Sequence, residues 1–251
     1  AGNCSVIQSF LNTLLTKNWR GARITHHTVL PEHQGDYVEL PPPPLPGTLT
    51  AALDRMGIYR LYRHQAQALE QIRAGKNVAV ATPTSSGKSL IYNLAVTEML
   101  LADAERKALY LFPIKALSRD QHGALETFLG ATGSQHQLIS AVYDGDTSPY
   151  QRTKIRQHHP HILLTNPDML HYGLLPYHSK WEAFWRKLRF VVVDEMHTYR
   201  GVFGSHVAQI FRRFQRICHF YGSNPQYILL SATISNPEQL RQVVTLDYDG
   251  Y

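Results

Sequence analysis

Two short stretches hold residues of the right type and spacing for phosphoryl chemistry. ATPTSSGKS, residues 81–89, closes on Gly87, Lys88 and Ser89, and VVVDEMH, residues 191–197, ends an apolar run in Asp194 and Glu195. Glycine lets backbone approach an anion, a lysine ammonium reaches the β- and γ-phosphates of a nucleoside triphosphate, and a serine hydroxyl takes Mg2+. The loop departs from the strict G-x-x-x-x-G-K-[ST] pattern, because Thr82 stands where the first glycine is expected and Ser85 is not glycine either. Both are small, so a cradle of Thr82, Pro83, Thr84, Ser85 and Ser86 loses little beyond conformational freedom. TSSGKS alone would also make an ordinary serine-capped helix start. The second stretch decides between the two. A carboxylate at the end of a neighbouring parallel strand holds Mg2+ in such enzymes, which gives Asp194 that role beside Ser89. A glutamate directly after it, Glu195, can orient or deprotonate the attacking water. Together they read as a nucleoside triphosphatase site with Lys88 and Glu195 as its catalytic residues.

Such a site needs strands and helices that alternate. NVAVAT (77–82) breaks into the loop and is followed by a helical pattern from Lys88 to Leu101. KALYLF (107–112) precedes a helix over about 116–129, QLISAVY (137–143) a helix near 149–157, and HILLTN (161–166) a short helix after Pro167. RFVVVDE (189–195) leads to a long helix over about 204–219, and QYILLSAT (226–233) to a helix from about Pro237. Strands apolar at nearly every position predict an α/β domain, a mostly parallel sheet covered by helices on both faces. Ligands then bind beyond the carboxyl ends of the strands, where the polar residues of these stretches fall.

The rest of the composition removes other classes. Hydrophobic residues make 43% and charged residues 18% of the 251, and no apolar run is long enough to span a bilayer. Two cysteines, Cys4 and Cys218, exclude a disulfide framework and suit a cytoplasmic setting. The 14 histidines include the pairs His26, His27 and His158, His159, but none has zinc spacing. A net charge of +6 permits nucleic acid as a partner. Residues 1–47 read as an N-terminal extension: an amphipathic segment (Val6, Ile7, Phe10, Leu11, Leu14, Leu15), a polar loop, and the stiff PPPPLP strap from Pro41 to Pro46. Residues 48–251 read as the nucleotide-binding domain.

The order of these motifs resembles superfamily 2 helicases of the DExH type. LYRHQAQAL (61–69) resembles the Q motif, in which Gln65 hydrogen-bonds the adenine edge; ATPTSSGKS is motif I and DEMH (194–197) motif II. SATIS (231–235) is motif III, so His197, Ser231, Ala232 and Thr233 are expected to couple hydrolysis to strand movement. FPIKALSRDQ (112–121) resembles motif Ia and TNPDML (165–170) motif Ib. The resemblance places Pro113, Lys115, Ala116, Ser118, Thr165, Asn166 and Pro167 on the nucleic-acid backbone, with Asp144 and Gly145 of YDGDT (143–147) beside them. ITHHTVLPEH, LYRHQ, YDGDT and DEMHTYRGVFGSHVAQIFRRFQRICHFYG (194–222) narrow it to the mitomycin repair factor A type of DNA helicase, across almost the whole chain. That type implies a RecA-like fold, ATP and Mg2+ as cofactors, 3′→5′ translocation on single-stranded DNA and a role in DNA repair. Motifs IV to VI and a C-terminal cysteine-rich region are not found, so the resemblance implies one half of a motor whose second RecA-like domain lies elsewhere.

The residues themselves support a strand track less firmly. Lys115, Ser118 and Arg119 open a helix after a strand, and Thr165 and Asn166 do the same after another, where N–H groups and side-chain donors hold phosphates. Arg212, Arg213 and Arg216 make a basic helix face that solvent alone would explain. Tyr59 and Tyr62 could stack on adenine or pack in the core. An RNA-dependent DExH ATPase and a non-catalytic nucleotide-binding fragment share these motifs.

Overall fold

Short β-branched runs become the strands of one sheet, and the amphipathic stretches between them cover it. The computed structural model describes residues 22–30, 36–82, 87–199, 201–232 and 241–248, of which 22–30, 201–204 and 241–248 are described as backbone alone. In chain order come β1 (Ala22–Leu30), β2 (Tyr37–Val38), α1 (Gly47–Arg55), β3 (Leu61–Tyr62), α2 (Arg63–Arg73) and β4 (Asn77–Thr82). Then follow α3 (Lys88–Ala102), β5 (Lys107–Leu111), α4 (Lys115–Thr132), β6 (Ser140–Val142), α5 (Pro149–His158) and β7 (Ile162–Thr165). Short helical turns over 167–181, π-helical at Leu170–Leu174, lead to α6 (Glu182–Lys187), β8 (Leu188–Val193), α7 (Gly201–Phe220), β9 (Gln226–Ala232) and β10 (Arg241–Tyr248).

The large sheet has the order β1-β10-β4-β9-β8-β5-β7-β6. From β4 to β6 every neighbouring pair is parallel. This is a RecA-like arrangement in which consecutive strands are joined by helical crossovers. The alternation of side chains across the pleat divides the core into two clusters. Val78, Val80, Ala108, Tyr110, Leu164, Val192, Ile228 and Leu230 face one side, against α1 to α4. Ala79, Leu109, Leu111, Leu163, Val191, Val193 and Leu229 face the other, against α6, α7 and the turns at 170–181, around the fully buried Trp185.

Two stretches differ from the sequence reading. The helix expected from Pro237 is, over its described part, strand β10, antiparallel to β4. The β-branched run Val243, Val244, Thr245 is stiff at χ1 and suits a pleated surface. Residues 22–30, read as part of a polar loop, form β1 and pair antiparallel with β10. The expected amphipathic segment over Val6 to Leu15 lies outside the described residues.

The proline strap is fastened. Pro41 is buried and Leu45 joins the core. Arg73 Nη1 donates to the carbonyls of Pro41 and Pro43 at 2.8 and 2.7 Å, while its remaining nitrogens grip Glu98. Prolines offer carbonyls that no ladder consumes, and a guanidinium fork is suited to collect them.

Candidate nucleotide site and strand track

The carboxyl ends of six parallel strands form one edge, and the motifs lie along it in two zones. Thr82 of β4 stands in register with Ala232 of β9, and Val193 of β8 with Leu229 of β9. Leu111 of β5 is level with Thr165 of β7, and Val142 of β6 with Leu164. The first three strands carry the nucleotide motifs and the last three the track motifs. The zones touch where Asp194 N donates to Leu111 O at 2.9 Å.

In the first zone Thr82 is buried at the end of β4, and the chain re-enters the described residues at Gly87. Pro83, Thr84, Ser85 and Ser86 lie outside the described residues. Gly87 is the N-cap of α3 with φ 71°, ψ 29°, a left-handed conformation that glycine adopts without strain. A Cβ there would meet Gln65 Nε2 at 2.5 Å. Gln65 donates from Nε2 to Gly87 O at 2.9 Å and accepts from Tyr62 N at Oε1, also at 2.9 Å. The amide expected to read adenine thus grips the loop backbone at one end and caps its own helix at the other. Gly87 has no side chain to cap α3, which leaves the first N–H groups of the helix to be satisfied by something else.

Lys88 is buried with 8% exposure, and its Nζ has no hydrogen-bond partner. A buried, unpaired ammonium is unfavourable unless an anion completes it. That orphaned charge, with Gly87 and the N-terminus of α3 beside it, fits a triphosphate. Ser89 is half-buried next to it.

Facing Lys88, Asp194 is 5% exposed. Its Oδ1 accepts from Glu195 N at 2.7 Å and its Oδ2 lies 3.2 Å from the Tyr92 hydroxyl. Burial pushes its pKa up to about 6, against the opposing pull of the Glu195 N–H. A carboxylate held so far out of water wants a cation, and a hard divalent ion with oxygen ligands suits it and Ser89. Glu195 takes the left-handed region, φ 54°, ψ 39°. For a non-glycine residue this costs about 1–2 kcal/mol, and it turns the chain from β8 into the tight turn Met196–Thr198.

His197 joins the carboxylates to β9. Ala232 N donates to His197 Nδ1 at 3.1 Å, which leaves the ring proton on Nε2, 3.2 Å from Glu195 Oε2. Ser231 is buried, and its hydroxyl donates to Ala232 O at 3.3 Å. Thr233 lies outside the described residues.

The second zone is built differently from the sequence reading. Thr165 and Ser118 are fully buried; Thr165 Oγ1 donates to Tyr143 O at 2.6 Å and Ser118 Oγ to Thr165 O at 3.3 Å. Their hydroxyls hold the loops together from within. Asn166 caps the turn after β7, its Oδ1 accepting from Met169 N at 2.9 Å, with Pro167 buried behind it. Asp144 is buried and organises its own loop, accepting from Asp146 N at 2.8 Å and Arg119 Nε at 3.0 Å. Lys115, Ala116, Arg119 and Gly145 are exposed and Pro113 half-buried. Lys115 Nζ donates to both oxygens of Asp146, each at 2.9 Å, and Arg119 Nη2 reaches the same carboxylate at 3.0 Å. Arg216 is exposed on α7, whereas Arg212 and Arg213 are half-buried.

Tyr59 is exposed; Tyr62 stacks on Tyr37 with ring centroids 4.7 Å apart. Tyr92, Gln121 and Asp146 escaped the sequence reading. The available signal for Tyr92 was its position one helical turn after Lys88, on the same face. Among the described residues no group of histidines, cysteines and carboxylates could hold a metal of the transition type, and no helix is long and apolar enough to cross a membrane.

A family model described as DEAD/DEAH box helicase matches residues 62–240. The chain is 49% identical over 197 residues to the ATP-dependent helicase YprA of Bacillus subtilis, across 78% of this chain and 26% of that protein. It is 39% identical over 259 residues to the ATP-dependent helicase HRQ1 of Saccharomyces cerevisiae, across 98% of this chain and 23% of the relative. Among solved structures, the DUF1998 helicase MrfA bound to DNA and AMPPNP superposes with a TM-score of 0.77 at 42% identity, over 92% of this chain and 31% of that one. The chain spans about a quarter of the length of these curated relatives.

Proposed function

The chain belongs to the DEAD/DEAH box helicase family, and on that premise we propose that it is the ATP-binding half of a motor that translocates 3′→5′ on single-stranded DNA in DNA repair. The observation that carries the reading is the buried, unpartnered Lys88 ammonium opposite the Asp194–Glu195 pair. Lys88 and the N-terminus of α3 would hold the β- and γ-phosphates. Ser89 and Asp194 are the donors for Mg2+, which when bound neutralises charge developing on the phosphoryl oxygens. Glu195 positions the attacking water and takes its proton; His197 steadies that carboxylate and ties it to the β9 backbone.

The track over β5, β7 and β6 would hold the strand by its backbone, through Lys115, Arg119 and the N-terminus of α4. A second RecA-like domain, in the part of the relatives this chain does not span, is the proposed source of the arginines that complete the cleft. DNA is favoured over RNA because the MrfA structure, at 42% identity, is described as bound to DNA. Turnover of ATP by the complete protein with single-stranded DNA, with RNA and with no polymer tests the reading. DNA-stimulated hydrolysis is expected; equal stimulation by RNA would move the substrate class, and no hydrolysis at all would sink the motor assignment.

A further inference from the structure

Tyr92 sits between the two zones and belongs to neither. It projects from α3, 1% exposed, its ring edge-on to Tyr110 at 5.0 Å. Its hydroxyl lies 3.2 Å from Asp194 Oδ2 and 3.1 Å from Gln121 Oε1. Burial and then the charge of Asp194 raise its pKa well above the ordinary tyrosine value, so the phenol keeps its proton. Gln121 lies on α4, the helix whose first turn presents Lys115 and Arg119.

A phenol has one proton, and here two acceptors compete for it. The acceptor with more negative charge makes the stronger bond. With Asp194 fully anionic, the proton belongs to the carboxylate and Gln121 loses its donor. When the charge on Asp194 is compensated, the amide carbonyl becomes the better partner and the bond crosses to α4. The hydroxyl is thus a discrete element with two arrangements, which physical coupling between two sites requires.

We propose that Tyr92 is a positioning residue that couples the nucleotide site to the strand track, its single proton shared between Asp194 and Gln121. The inference rests on the motor reading above and deepens it. Tyr92 touches no reacting atom; it acts through Asp194 on one side and α4 on the other.

Tyr92→Phe removes the oxygen and keeps the ring packed on Tyr110. The test measures single-stranded DNA affinity of the complete protein with and without AMPPNP and Mg2+, the ratio being the coupling factor. Coupling factors typically lie between about 5 and 150; Tyr92→Phe is expected to cut the factor at least threefold. Its affinities for DNA alone and nucleotide alone should each stay within about twofold. Gln121→Leu is expected to cause the same loss, and the double variant no more than either single one, since both remove one connection. An unchanged factor in Tyr92→Phe, or losses in the two single-ligand affinities as large as the loss in coupling, would overturn the proposal in favour of a purely structural tyrosine. Additive losses in the double variant would do the same. A wild-type protein that binds neither ligand overturns the motor reading itself and this inference with it, an outcome distinct from failure of Tyr92 alone.

Discussion

Lys115 and Asp146 form a closed pair, with the ammonium 2.9 Å from both carboxylate oxygens. Arg119 shares the same partner. A cation of the proposed track is therefore already neutralised, and a strand phosphate there would have to compete with Asp146 to reach it. Asp146→Asn is expected to tighten single-stranded DNA binding about two- to fivefold, the range for an exposed ion pair. Lys115→Ala should weaken every sequence about equally and lower the salt slope by about 0.7, the value of one phosphate contact on a single strand. Affinity measured across a salt series checks both. Weaker binding by Asp146→Asn would mean that the carboxylate positions Lys115 instead of competing for it.

The orphaned Lys88 predicts opposite signs for stability and binding. Replacing it by Met removes an unpaired charge from a buried position, which should stabilise the nucleotide-free fold by about 1–3 kcal/mol. In a domain of this size that raises the melting temperature by a few degrees. The same variant should bind triphosphate far more weakly, because nothing replaces the charge at the β- and γ-phosphates. Thermal melting with and without nucleotide reads both. A fall in the nucleotide-free melting temperature would show that Lys88 has a structural partner.

Asp194 gives a pH dependence whose sign is fixed by burial. Its pKa is about 6 in the fold against 3.8 for a carboxylate free in water. The native state thus binds more protons than the unfolded one between about pH 4 and 6, and stability falls as pH rises through that window. The full penalty, of the order of 3 kcal/mol, remains above pH 6. Urea melts in EDTA should show the decline in the wild type and a flatter profile in Asp194→Asn. Mg2+ with nucleotide should restore stability at pH 7 to the wild type alone.

Glu195→Gln keeps the shape of the site and the donors for Mg2+, so nucleotide affinity should hold while hydrolysis slows by at least about 100-fold. Hydrolysis at the wild-type rate would remove Glu195 from its role.

A polypeptide of residues 1–251 should bind ATP weakly, hydrolyse it slowly and unwind nothing. An arginine supplied across a domain interface is worth about 10³ to 10⁵ in rate, and in the proposed motor that arginine comes from the part of the relatives this span does not cover. Brisk DNA-stimulated turnover independent of protein concentration would show that an arginine of this chain acts in cis.

The parallel strands were legible because each is a short, nearly continuous apolar run ending in polar residues, and a strand buried on both faces can look no other way. The Lys88 loop and the Asp194–Glu195 pair were legible because glycine, lysine and adjacent carboxylates in that order have few other uses. Pairings over long separations were not. β1 and β10 make sense only against each other and β4, and RQVVTLDY alone gives no sign of the strand it will meet. Side-chain commitments were equally hidden. Nothing in the sequence says that Thr165 and Ser118 turn inward, that Asp146 answers Lys115, or that Gln65 holds Gly87 O. Those depend on which loops the sheet brings side by side.

The place of β4 in the sheet orders events during synthesis. Its neighbours are β9 and β10, and Asn77 accepts from Tyr227 N across 150 residues of chain. When the ribosome has delivered β4 and the loop after it, neither flanking strand yet exists, and β5, β6 and β7, which are made next, can associate with one another before either arrives. Closing so long a loop is slow, and parallel pairing gives no reward until it is closed. Nucleotide binding should therefore come late in the assembly of this sheet. A ribosome-stalled series of increasing length would acquire it only once both late strands have cleared the exit tunnel.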